Sequence, residues 1–169
     1  MKRFFFALTM TVLLSGISHA QTHLLSGPLD PMQALTNPDN IGSGTGAIAG
    51  DYDDITNTLN YSISWSDLTS DVTNMHFHVG APGVSGGVDL GIPGPWTSPY
   101  VGSGIVLSDD QESNLLAGNW YVNIHTGDFG GGEIRGQVNV TAVPEPNTAV
   151  ATAFASLAVF GIIRRRRRS

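Results

Sequence analysis

The chain has 169 residues, no cysteine and a formal net charge of −6. Seven of its eight basic residues lie at the two ends (Lys2, Arg3, Arg164, Arg165, Arg166, Arg167 and Arg168), so residues 21–143 carry thirteen carboxylates against Arg135 alone, a net of about −12. That balance excludes phosphate neutralisation and hence nucleic-acid binding, and the lack of Cys excludes disulfides, thiolate metal sites and a cysteine nucleophile.

The N-terminus has the three parts of a secretory signal peptide. Lys2 and Arg3 form a positive start, residues 4–14 are apolar but short for a membrane span, and Ser18 and Ala20 are small residues before a cleavage point at Gln21. Residues 1–20 are therefore expected to be removed by signal peptidase. Residues 45–50 followed by Asp51-Tyr52-Asp53-Asp54 read as a strand and turn. Leu59, Tyr61, Ile63 and Trp65 alternate with Asn60, Ser62 and Ser64, giving a half-buried strand and a predicted hairpin. Met75, Phe77 and Val79 alternate with Asn74, His76 and His78 in the same way.

Residues 80–100 contain Pro82, Pro93, Pro95 and Pro99 with six glycines, which predicts a long loop. Trp96 and Tyr100 on it can stack on sugar rings or plug the edge of the core. A strand is predicted at 101–107. A helix follows, capped by Ser108 with Gln111 at the reciprocal capping position and ended by Gly118; Asp109, Asp110 and Glu112 suit its positive end. Trp120, Val122 and Ile124 alternate with Tyr121, Asn123 and His125. Ile134, Gly136, Val138 and Val140 alternate with Glu133, Arg135, Gln137 and Asn139, which predicts one further strand.

Short strands separated by turn signals, in a stretch with nineteen glycines, predict an all-β domain: an antiparallel β-sandwich or barrel with one short helix. Beyond it lie Pro144-Glu145-Pro146, an apolar stretch at 148–163 and the five arginines. Sixteen helical residues span roughly 24 Å, slightly under the roughly 30 Å hydrocarbon core. The stretch is read as a C-terminal transmembrane helix with its Arg tail on the cytoplasmic side.

The order Pro-Glu-Pro, short span and Arg cluster over residues 143–169 resembles the PEP-CTERM sorting signal of Gram-negative bacteria. That resemblance implies transient insertion in the inner membrane, cutting near Pro144, Glu145 and Pro146 by an exosortase, and delivery to the cell surface or exopolysaccharide matrix. Residues 21–142 resemble the CHRD domain. The first matching stretch runs from Met75 through His76-Phe77-His78-Val79-Gly80-Ala81-Pro82-Gly83. The second is Gly118-Asn119-Trp120-Tyr121-Val122-Asn123-Ile124-His125-Thr126, followed by Gly132-Glu133-Ile134-Arg135-Gly136-Gln137-Val138. This resemblance implies no established catalytic activity.

His76 and His78 are two apart on a strand, so they share a face opposite Met75 and Phe77. His125 shares a face with Asn123 and Tyr121, and Glu133 with Arg135. If those strands are neighbours, one side of a sheet gathers three imidazoles, a carboxylate and the guanidinium. Three such histidines can bind Cu or Zn, and the pattern is similar to the His-x-His strand of copper–zinc superoxide dismutase. A second His and Asp cluster is missing, which speaks against dismutase activity. Alternatively, the histidines bond Asn, Asp and backbone groups and fix the path of the loop.

Arg135 is expected to pair with Glu133 or a nearby Asp. Asp51, Asp53, Asp54 and Asp128 offer oxygens for Ca²⁺ or simply make turns. Together these readings describe an exported, non-catalytic binding or structural protein of the envelope or matrix, with extracellular polysaccharide or a surface protein as partner. The rival from another class is a metalloprotein using His76, His78 and His125.

Overall fold

The computed structural model describes residues 21–34 and 42–143. The strands are β1 (Thr22–Leu29), β2 (Thr45–Asp53), β3 (Thr58–Ser66), β4 (Val72–Val79), β5 (Val88–Gly91), β6 (Tyr100–Val106), β7 (Trp120–Thr126), β8 (Ile134–Gln137) and β9 (Asn139–Ala142). One α-helix, α1 (Asp109–Leu116), and a 3-10 turn at Pro31–Gln33 complete the described elements. A five-stranded sheet in the order β6-β3-β2-β1-β9 faces a four-stranded sheet in the order β5-β4-β7-β8. Every pairing is antiparallel.

The alternation seen in the sequence sets which side chains meet between the sheets. Leu59, Tyr61 and Ile63 of β3 are buried against Met75 and Phe77 of β4 and Trp120, Val122 and Ile124 of β7. The Phe77 ring lies 5.0 Å from both Trp120 and Tyr61, edge-on to the latter. Such fully buried side chains each contribute about 1.5–3 kcal/mol. The buried Trp120 indole N–H donates to Asp89 Oδ2 at 2.7 Å, so this large side chain leaves no orphan donor in the core.

The predicted β2–β3 hairpin is present. Asp53 Oδ1 accepts from the backbone N–H of Ile55 and Thr56 at 3.0 and 2.9 Å, closing the turn. Helix α1 also starts and stops as read: Ser108 and Gln111 form the reciprocal capping box, and Gly118 follows with φ +72°.

Two expectations are corrected and one strand is added. The 80–100 segment is not all loop, because Val88–Gly91 pairs with β4 as an edge strand. The strand predicted through 133–140 is two strands: β8 pairs with β7, the chain turns at buried Val138, and β9 pairs with β1 in the other sheet. Strand β1 was not foreseen. It has only Leu25 and Leu29 buried, with Gly27 and Pro28 breaking any apolar alternation.

Just past β1, Asp30 and Arg135 exchange both backbone hydrogen bonds, at 3.0 and 3.1 Å. A Cβ on Gly27 would strike the Gln137 carbonyl, and one on Gly136 would strike that of Pro28. Glycine at both positions lets the two sheets close on each other at this edge.

No helix among the described residues is long and apolar enough to cross a membrane. The expected signal peptide, the Pro144-Glu145-Pro146 motif, the membrane helix at 148–163 and the Arg tail lie outside the described residues.

Candidate metal centre

Strand β4 sends Met75 and Phe77 into the core and turns His76 and His78 to the outer face of the four-stranded sheet. In register, His76 lies opposite Asn123, His78 opposite Tyr121, and Asn74 opposite His125. Directly paired side chains of this kind sit within reach of one another. All three predicted histidines are thus brought together, with ring centroids 5.5 Å (His76–His78), 5.3 Å (His76–His125) and 6.1 Å (His78–His125) apart.

Two glycine-rich segments cover this face. The 80–87 loop folds back so that the Gly86 carbonyl meets His78 Nδ1 at 3.1 Å, while Gly86 N–H donates to the Tyr121 hydroxyl at 3.0 Å. A Cβ on Gly86 would collide with the Val79 carbonyl, so only glycine permits this return. The turn at 127–132 places the Gly130 carbonyl 3.0 Å from His125 Nδ1, and the Gly131 carbonyl accepts from Asn123 Nδ2 at 3.1 Å. Gly132, at φ +116°, passes where a Cβ would strike the Asn123 side chain.

A carbonyl oxygen can only accept. His78 and His125 therefore carry their protons on Nδ1 and present bare Nε2 lone pairs. Those two Nε2 atoms and His76 Nδ1 are buried without a hydrogen-bond partner, as is Asn123 Oδ1. Leaving buried acceptors unmet is costly. One ligand nitrogen from each histidine lies within 4.8 Å of the others, a spacing that can hold one metal ion. Fixing the tautomer through a backbone carbonyl is how metal-binding imidazoles are oriented.

Burial pushes His76 below its ordinary value of 6.5, with neighbouring His125 and His78 acting in the same direction. Burial does the same to His78; the Gly86 carbonyl opposes it, and His125 and Arg135 add to it. Both rings are thus held towards the neutral form that a metal requires.

The expected Arg135 ion pair is not what the structure contains. Among the described residues no carboxylate lies within ion-pair distance of Arg135. Its guanidinium stacks 3.4 Å above the Tyr121 ring centroid, donates to the Val84 carbonyl at 2.9 Å and reaches Gln137 Oε1 at 3.4 Å. Gln137 in turn donates to the Gly80 and Gly118 carbonyls at 3.0 and 2.9 Å. Arg135 and Gln137 therefore hold the covering loop down.

Glu133 does not share that face either. It lies ahead of β8, past the Gly132 turn. Its carboxylate accepts from Thr126 Oγ1 at 2.8 Å and from Thr69 N and Oγ1 at 2.8 and 2.9 Å. Thr126, on the core-facing side of β7, and Thr69, just before β4, thus draw it away from the imidazoles.

The Ca²⁺ expectation finds no converging set among the described residues. Asp51 accepts from Asn60 Nδ2 at 2.9 Å, Asp53 closes the hairpin turn, and Asp54 accepts from Gln21 N at 2.9 Å. Trp96 and Tyr100 plug the core edge, their polar atoms bonded to the Ile92 and Pro93 carbonyls. Sequence reasoning put Tyr121 on this face but gave it no part in the site; its ring stacks on His78 at 5.0 Å and 10°. Its alternation with Asn123 and His125 was the available signal.

Fold and site together define a two-sheet antiparallel β domain with three histidines clasped on one outer face by glycine-rich loops. The family model described as the CHRD domain matches residues 25–138, and the chain belongs to that family. No curated protein and no solved structure matches the chain.

Proposed function

We propose that this CHRD domain is a non-catalytic metal-binding module of an exported protein, taking one Cu or Zn ion on His76, His78 and His125. The observation that carries this reading is the cluster itself: one ligand nitrogen from each of the three rings lies within 4.8 Å of the others, and each ring has a buried nitrogen without a hydrogen-bond partner. Backbone carbonyls under two glycine-rich loops orient two of the rings, so the loops and the site form one unit. Metal analysis of the full chain, purified in mild detergent and equilibrated with Cu or Zn, tests it. One ion per chain, lost in His78→Ala, supports the reading; a metal-free protein, or full retention in the variant, overturns it.

The place of action follows from the chain ends. Residues 1–20 direct export, with signal peptidase as the first partner. Residues 143–169 direct passage through the inner membrane to an exosortase, and then to the cell envelope, surface or extracellular matrix. There an extracellular polysaccharide or surface protein is the natural partner. Intact mass of the mature protein tests this sorting: loss of the Arg tail supports it, and its retention contradicts exosortase cutting.

A further inference from the structure

The three nitrogens are neutral donors, and nothing in the ligand set offsets the charge of a bound ion. Imidazole serves copper and zinc alike, so the surrounding charge decides between them. The charged side chain stacked against this cluster is that of Arg135, through the Tyr121 ring. Glu133 is held by Thr69 and Thr126 instead. The 80–87 loop contains no charged residue. The turn at 127–132 carries Asp128, which is exposed and bonded through its backbone N–H to Ser70 Oγ.

Arg135 is a fixed cation on the same face. Its guanidinium lies 3.4 Å from the Tyr121 ring centroid. The other end of that stack is His78, 5.0 Å from Tyr121 and nearly parallel to it. Arg135 is itself buried, and its bond to the Val84 carbonyl and its stacking on Tyr121 hold the guanidinium in place. Coulomb repulsion scales with ion charge, so a divalent ion here meets twice the opposition of a monovalent one.

We infer that the centre selects monovalent copper over divalent ions, and that Arg135, stacked through Tyr121 onto His78, sets this preference. The inference rests on the metal-binding reading above and names its ion.

Competition on the full chain tests it. Equal amounts of Cu(I), kept reduced under anaerobic conditions, and Zn(II) are offered, and bound metal is measured. Cu(I) filling the site to the exclusion of Zn(II) supports the inference; Zn(II) displacing Cu(I) overturns it. Arg135→Gln is expected to lower the Cu(I)-to-Zn(II) preference roughly tenfold, and an unchanged ratio contradicts the role of Arg135. Arg135→Lys keeps the charge should the Gln variant not fold, and it is expected to hold the wild-type ratio; a ratio that falls in a folded Lys variant contradicts the charge argument. If neither ion binds, or binding survives His78→Ala, the metal reading itself fails, an outcome distinct from zinc winning.

Discussion

The two sheets have outer faces built by the same alternation, yet they do opposite things. On the five-stranded sheet the outward residues of β2 and β3 are small or polar, among them Ala47, Ala49, Asp51, Asn60, Ser62 and Ser64. Asn60 bonds Asp51 at 2.9 Å, and the face stays in contact with water. On the four-stranded sheet the outward residues include His76, His78, Tyr121, Asn123, His125, Arg135 and Gln137. Two glycine-rich segments lie over them, and four of their acceptor or ligand atoms are buried without partners. A polar face that is covered must either satisfy itself or hold something. The first sheet satisfies itself with short side chains and solvent; the second is left with unpartnered lone pairs on three clustered imidazoles.

The largest expected effect breaks the covered face directly. Cu or Zn at a hundred times its Kd should stabilise the wild-type chain by about 2.7 kcal/mol by linkage. Chelator should reverse the shift in a thermal melt. His78→Ala should show no such shift, whereas Asn60→Ala on the open face should keep all of it. A shift that persists in His78→Ala would place the ion elsewhere.

The next effect separates two adjacent glycines. Gly86→Ala forces a collision with the Val79 carbonyl and should dislodge the loop that orients His78, weakening metal binding roughly tenfold or more, as loss of an orienting partner does. Gly87→Ala meets open space and should stay within about 0.5 kcal/mol of wild type. Equal behaviour of the two variants in a metal titration would remove the loop from the account.

Much of this contrast was legible in the sequence, and the illegible part has identifiable causes. The alternation Met75-His76-Phe77-His78 placed the histidines, because a strand bound to a core must send every second residue outwards. Ser108 and Gln111 fixed the helix start because capping is a local affair. Alternation cannot show which polar face a distant loop will cover, so the open and covered faces read alike. Nor could it show the break at Val138: Ile134, Gly136, Val138 and Val140 keep one period while the chain moves between sheets that share a core. Glu133 was misplaced because the Gly132 turn, at φ +116°, takes it out of the strand's period. The partner of Arg135 was misread because the stacking ring, Tyr121, is fourteen residues away in sequence.

Glu133 gives a test inside the second sheet that leaves the imidazoles alone. Its buried carboxylate accepts from Thr69 and Thr126. Glu133→Ala strands those donors and should cost about 1–3 kcal/mol in denaturant unfolding without altering the number of ions bound. Loss of the ion together with stability would mean that the carboxylate supports the site after all.

The smallest effect is the dependence of the metal-free protein on pH. His76 and His78 titrate below their ordinary 6.5 when folded. On acidification the unfolded chain therefore takes up protons first. The stability from keeping these rings neutral is complete above pH 6.5 and is lost as pH falls through the depressed folded values. Replacing both residues with Gln should flatten this part of the stability profile, and an unchanged acid slope would contradict the burial argument.

X-ray absorption at the metal edge of the Cu- or Zn-loaded full chain tests the central claim most directly. The account predicts a first shell with three imidazole nitrogens at about 2.0 Å, disrupted in His78→Ala. A shell of oxygen alone, or one that His78→Ala leaves intact, would contradict it.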